Sequence, residues 1–316
     1  MNLEDDDDDT EQVDEHLAHA DQIIVGRLAG KTKTQYANKL KHIVERLKVT
    51  NPEVLGADGH IIADSLNATN LKQLFGYLAL KHDKNKQALE PNVYQSFQHV
   101  SGYKSALKFY LKTRGIALSG PVNLVLMDFF GGLKRKIANK KQQGEMSLSE
   151  GKQPLSFAGY KFLARKATTA TEDFHVAIFA WLFLVLCWNL MARCISVSGL
   201  MYCHISWAND SLTVVFPTHK GDQEGKTALP KHVFCNRECP EICPILALSV
   251  FVFTQGFRRQ GSKALLFSET ESAESRFSKW LKAACGRHFV DLVALGLIIV
   301  EIGTHSFRKG KHKVLA

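Results

Sequence analysis

Residues 173–200, DFHVAIFAWLFLVLCWNLMARCISVSGL, carry no acidic or basic charge between Asp173 and Arg193. A run this apolar is either a membrane span or a helix buried on every side. His175 and Asn189 within it, and the charges at its two ends, argue for the buried core helix. The helix delivers Arg193 to its C-terminal end, where a cation ordinarily just neutralises the helix dipole.

On the N-terminal side, PLSFAGYKFLARKA (154–167) reads as a helix with Ser156 as its N-cap. On the C-terminal side, SLTVVFPTHKGDQEGKTALPKHVF (211–234) reads as two extended segments around a glycine-containing turn, a β-hairpin with Lys220 beside its tip. Further helices are expected from Pro244 to Thr254 and from Ser275 to Ala284, and the chain closes on GTHSFRKG (303–310). From about Ile23 to Phe130 the pattern is helical throughout. Thr32 is the expected cap of a helix whose face is Tyr36, Leu40, Ile43, Val44 and Leu47. Pro91, Asn92 and Gly115 bracket another, with Tyr103, Leu107, Tyr110 and Leu111 on its apolar side.

The 316 residues are 45% hydrophobic and 22% charged, enough to bury the cores of two domains. The formal net charge of +9 conceals an asymmetry. Glu4, Asp5 to Asp9, Glu11, Asp14 and Glu15 precede any Lys or Arg, so the remainder is more basic still. Lysines and arginines in such excess release counterions from a polyanion and favour nucleic acid as partner. Lys104, Lys108 and Lys112 repeat every four residues, and Lys134, Arg135 and Lys136 cluster in GGLKRKIANKKQQGEMSLSEGKQP (131–154). That segment reads as a basic interdomain linker. Both sets are candidate phosphate contacts, against the alternative of solvated basic faces.

The acidic N-terminus is unlike a signal or transit peptide, so a nuclear location is expected in a eukaryote and a cytoplasmic one otherwise. In either compartment the seven cysteines should be thiols. His232, Cys235, Cys239 and Cys243 have spacings that admit zinc, but Cys-x3-Cys is not the usual knuckle. No metal and no other cofactor is therefore expected.

LMARCISVSGL around Arg193, PTHKGD around Lys220 and GTHSFRKG with His305 and Arg308 are each weak alone. In this order and on these elements they resemble the tyrosine recombinase family. CWNLMAR, CPILAL and THSFRKG look most like the recombinases of Crypton-type mobile elements. The resemblance covers about Gly30 to Lys311 and implies a mainly α protein with a small β-hairpin or sheet. It comprises a helical, SAM-like core-binding domain and a mixed α/β catalytic domain that together clamp DNA. The expected division is an acidic disordered tail (1–21), a core-binding domain (22–130), the basic linker (131–155) and a catalytic domain (156–316). Double-stranded DNA is the implied partner, with self-association on DNA and no membrane.

By motif match Arg193 and Arg308 are the two guanidinium groups that stabilise a five-coordinate phosphate, each through a planar fork of donors. Lys220 matches the general acid for the leaving 5′ oxygen, although Lys226 and Lys231 share its hairpin. His305 would donate to the phosphate from the helical face of Arg308. Two features depart from the family. Ser196 stands where an acid commonly follows the first arginine, and no tyrosine follows Arg308, the last being Tyr202. The nucleophile and the last helices of the catalytic domain are thus expected to be missing, leaving DNA binding without turnover. A non-catalytic, regulatory DNA-binding protein on the same scaffold is the alternative.

Overall fold

The computed structural model describes residues 16–20, 22–24, 26, 28–147, 151–169, 173–217, 226, 229–255, 264–267 and 272–315. The chain forms two compact units, Met1–Glu150 and Gly151–Ala316. The acid run Asp5 to Asp9 lies outside the described residues. The disordered tail expected to reach residue 21 is helical and exposed by residues 16–20, where Leu17, Ala18 and Ala20, good helix formers, succeed the acids.

In the first unit the 3–4 spacing of Leu40, Ile43, Val44 and Leu47 forms α1 (Gly30–Thr50), which buries Ile43 and Leu47. Its N-cap is Ala29 rather than Thr32, which lies inside the first turn with its N–H bonded to the Ala29 carbonyl. Asn67 caps α2 (Ala68–Leu78) by accepting from the Asn70 N–H, and Ser96 caps α3 (Phe97–Thr113) through the His99 N–H. Pro121 opens α4 (Gly120–Gln142). Phe75 of α2 and Phe97 of α3 meet Phe130 of α4 with ring centroids 5.4 and 6.0 Å apart, which ties three helices into one core.

The helical run expected from Ile23 to Phe130 is broken twice by short bridged excursions, at Leu55–Ile61 and at Leu80–Tyr94. Local polar chemistry causes both breaks. Asp58 accepts from the His60 N–H beside left-handed Gly59, and Asp83 accepts from the Asn85 and Gln87 N–H groups. The bracketed helix accordingly begins at Phe97, not near Pro91. The linker expected from residue 131 is also corrected. Leu133 and Ile137 continue the buried face of Val122, Leu126 and Phe130, so α4 persists to Gln142 despite Gly131 and Gly132.

In the second unit Ser156 caps α5 (Phe157–Thr168) through the Gly159 N–H, as expected. Asp173 caps α6 (Phe174–Asn189) through the Val176 N–H. Every residue of α6 from Ala177 to Trp188 is buried, and α5, α8 (Pro244–Gln255), α9 (Ala273–Arg287) and α11 (Ser306–Leu315) pack against it. The short α7 (Cys194–Ser198) and α10 (Phe289–Ala294) complete the helices of this unit among the described residues. Among the described residues no helix is long and apolar enough to cross a membrane.

The expected hairpin is part of a three-stranded antiparallel sheet, β1 (Ile205–Ala208), β2 (Ser211–Val214) and β3 (Lys231–Val233), in that order. Leu212 faces Trp207 on one side and Val233 on the other, and Val214 pairs with Lys231. The added strand β1 turns into β2 at Asn209, whose φ of 52° suits a residue that enters the left-handed region readily.

Candidate phosphate pocket and nucleic-acid interface

The end of α6 sets the position of Arg193. Met191 takes a left-handed conformation, its N–H bonds to the Trp188 carbonyl and the Ala192 N–H bonds to the Cys187 carbonyl. This paired motif closes the helix and turns the chain, so that Arg193 caps the start of α7.

The segment carrying His305 and Arg308 is anchored by its buried neighbours. Ser306 is fully buried, and its hydroxyl accepts from the Gly303 N–H while its N–H donates to the Gly303 carbonyl. Phe307 is fully buried with its ring centroid 5.4 Å from that of Phe277. Leu155 donates its N–H to the Ser306 carbonyl, and Lys309 donates to the Lys152 carbonyl. Gly310 lies so close to the chain at Leu155 that a β-carbon would stand 2.1 Å from the Leu155 carbonyl oxygen. With these residues turned inward, His305 and Arg308 face solvent.

Arg193, His305 and Arg308, with Pro154, Thr304 and Lys309, line one cavity of about 590 Å³. A direct tether joins its two walls: the Cys194 thiol donates to the Thr304 carbonyl at 3.3 Å, connecting the residue after Arg193 to the residue before His305. Ser196, where an acid was expected, is half-buried in α7 and donates its backbone N–H to the Arg193 carbonyl.

Lys220 lies outside the described residues. Lys226 is exposed, whereas Lys231 is half-buried on β3 and donates its ammonium to the Leu190 carbonyl at 2.6 Å. Burial, and secondarily the charge of Arg308, hold the Lys231 pKa below the usual lysine value. The tertiary structure thus puts Lys231 within electrostatic reach of Arg308, which its position in the sequence does not reveal.

The second unit holds Tyr160 and Tyr202. Tyr160 is buried and stacked on Trp188 at 4.2 Å, burial raises its pKa, and its hydroxyl accepts from Asn189. Tyr202 is half-buried, and neither tyrosine lines the cavity.

On the first unit the lysine stripe divides. Lys104 is half-buried with its ammonium 4.2 Å from the centre of the Phe130 ring, and burial, then Lys108, lowers its pKa. Lys108 and Lys112 are exposed, as are Lys134, Arg135 and Lys136 on α4. Lys104→Ala is expected to cost about 1 kcal/mol of stability through the lost cation–aromatic contact and packed stem. Lys108→Ala and Lys112→Ala, at exposed positions, should leave stability unchanged. Thermal unfolding of the three variants checks the difference.

The residues weighed for zinc have other partners. His232 bonds to the Ser211 hydroxyl at 2.8 Å, Cys239 accepts from Lys161 at 3.1 Å, and the Cys235 and Cys243 sulfurs are 3.7 Å apart. Among the described residues no group of three or more His, Cys, Asp or Glu side chains is arranged to hold a metal ion.

The mostly helical architecture with its small three-stranded antiparallel sheet is the fold of the tyrosine recombinases and integrases. The Tn1549 transposon integrase, solved in complex with transposon right end DNA, superposes with a TM-score of 0.56 at 14% identity. The match covers 94% of this chain and 84% of that one. The XerH site-specific recombinase bound to its difH substrate gives 0.51 at 11% identity, over 89% of this chain and 68% of that one. No protein-family model matches the chain, and no curated protein matches it in sequence. At these identities the likeness is one of fold.

Proposed function

We propose that this chain is a DNA-binding, integrase-like protein of the tyrosine recombinase type, most like the Crypton-type recombinases. The observation that carries the proposal is the cavity that Arg193 shares with His305 and Arg308, which lie more than a hundred residues further along the chain in a second motif. Two guanidinium groups beside an imidazole suit one phosphodiester: the guanidiniums donate to non-bridging oxygens and the imidazole donates to a third position. Lys220 is the proposed general acid by motif. Lys231, with its pKa lowered by burial and by Arg308, supports the same role for a lysine of this hairpin.

No tyrosine follows Arg308 in these 316 residues, and neither tyrosine of the second unit lines the cavity. These residues therefore grip the phosphate without forming a phosphotyrosine link, and cleavage requires a tyrosine from outside them. The exposed cations of α3 and α4 add phosphate contacts from the core-binding domain, proposed as residues 22–130 with the continuation of α4. Self-association on paired sites and a nuclear location in a eukaryote complete the reading. A regulatory DNA binder on the same scaffold is the second reading.

The test is fluorescence anisotropy with duplex DNA, run beside a suicide substrate that traps covalent adducts. Binding without adduct is expected. Arg193→Gln and Arg308→Gln should each weaken binding by about tenfold, the worth of a charge-assisted contact to phosphate. Absence of DNA affinity at low salt would sink the proposal.

A further inference from the structure

The connection from β3 to α8 carries three cysteines, of which two face each other. Cys235 is exposed, Cys243 is buried, and both are free thiols with sulfurs 3.7 Å apart. The turn between them is braced by the Cys239 N–H, which donates to the Asn236 side chain at 2.9 Å, and by the Cys243 N–H, which donates to the Pro240 carbonyl. Two backbone N–H groups, from Asn236 at 3.3 Å and Leu246 at 3.4 Å, point at the Cys243 sulfur where α8 begins. These contacts fix the Cys243 sulfur in place beside Cys235, whose own thiol is held above its usual pKa by the hydrogen bond to Cys243. Cys239 is held separately by the Lys161 ammonium.

The other cysteines lack this combination. Cys187 and Cys194 are 3.6 Å apart, but both are buried and Cys194 is committed to the Thr304 carbonyl. Cys285 is buried, whereas Cys235 is exposed. Cys203 is exposed but has no thiol close to it among the described residues.

We propose that Cys235 and Cys243 are a peroxide-reactive dithiol, with Cys235 as the attacking thiol and Cys243 as the resolving one. The Cys235 sulfur attacks one oxygen of a hydroperoxide, the O–O bond breaks, and the proton from sulfur leaves with the departing oxygen. Hydrogen peroxide gives water and a sulfenic acid on Cys235. The Cys243 sulfur then attacks the sulfenyl sulfur, forming the disulfide and expelling its hydroxyl, which takes the Cys243 proton to leave as a second water. Two thiols are oxidised and one peroxide is reduced. The disulfide requires the separation of 3.7 Å to close to a bonding distance.

The cross-link ties the exit of β3 to the entrance of α8. β3 carries Lys231, and the linked segment forms one wall of a polar cavity of about 550 Å³ lined by Asn189, His232, Asn236, Arg237 and Glu238. Oxidation thereby acts on the strand that presents a lysine to Arg308, and this site stands whether or not the protein binds DNA.

The test treats the folded full chain with hydrogen peroxide, blocks remaining thiols by alkylation and maps the peptides by mass spectrometry. One disulfide-linked pair joining Cys235 to Cys243 is expected, reversed by dithiothreitol, with Cys203 and Cys239 alkylated. Cys239→Ser should leave the cross-link intact. Cys235→Ser, an exposed position, should abolish it and leave Cys243 alkylated after peroxide. Pairing of Cys235 with Cys239 or with a second chain, its arrest as a sulfinic acid, or alkylation of both thiols after peroxide overturns the proposal.

Discussion

Gly310→Ala is expected to lower the stability of the second unit by about 3 kcal/mol, the upper end of what overpacking a rigid core costs. A β-carbon on residue 310 would meet the Leu155 carbonyl oxygen at 2.1 Å, its carbon at 3.0 Å and the Trp188 ring at 2.9 Å. Two of those three atoms are backbone and the third belongs to a ring stacked on Tyr160, so no flexible side chain is available to yield. Relief requires α11 to move off Leu155, which loosens the bond from the Leu155 N–H to the Ser306 carbonyl and with it the setting of His305 and Arg308. The midpoint of thermal unfolding should fall by roughly 6 to 12 °C for a domain of this size. Under the proposed function, DNA affinity at a temperature where the variant remains folded should fall as well. A variant with unchanged unfolding would mean that α11 does not dock on Leu155.

Under the proposed function, salt should weaken DNA binding steeply. If about six phosphates are neutralised by the cavity arginines and the exposed cations of α3 and α4, affinity should drop on the order of 10³-fold between about 50 and about 200 mM salt. Arg193→Gln, Arg308→Gln, Lys108→Ala and Lys112→Ala should each make the log–log slope shallower by about one phosphate contact. Lys104→Ala should leave the slope unchanged, because that ammonium is engaged by the Phe130 ring. A flat salt dependence would remove the electrostatic basis of the interface.

Much of the second unit was legible in its amino acids because the controlling interactions are short in sequence. An apolar run without charges between Asp173 and Arg193 has no stable place but a core, and Ser156 caps a helix through a donor three residues away. In the first unit, the glycine pair and the lysines around the apolar face of α4 obscured its continuation. Leu133 and Ile137 look like stray apolar residues in a lysine-rich segment until Val122, Leu126 and Phe130 are known to face the same core. Strand β1 gave little sign of itself in Ile205–Ala208, since its pairing with β2 requires a partner segment to arrive.

The sequence by itself determined the helical character of most of the chain, its basic charge, and the order of Arg193, His305 and Arg308. Periodicity, capping and composition are properties of a few neighbouring residues. Only the tertiary structure decided which cations meet solvent and which meet an aromatic ring. It also brought Lys231 within reach of Arg308, set the Cys235 and Cys243 sulfurs side by side, and required a glycine at residue 310. Each of these depends on which faces of separate elements pack together. That choice is made by the free energy of the whole core, and no local window of sequence contains it.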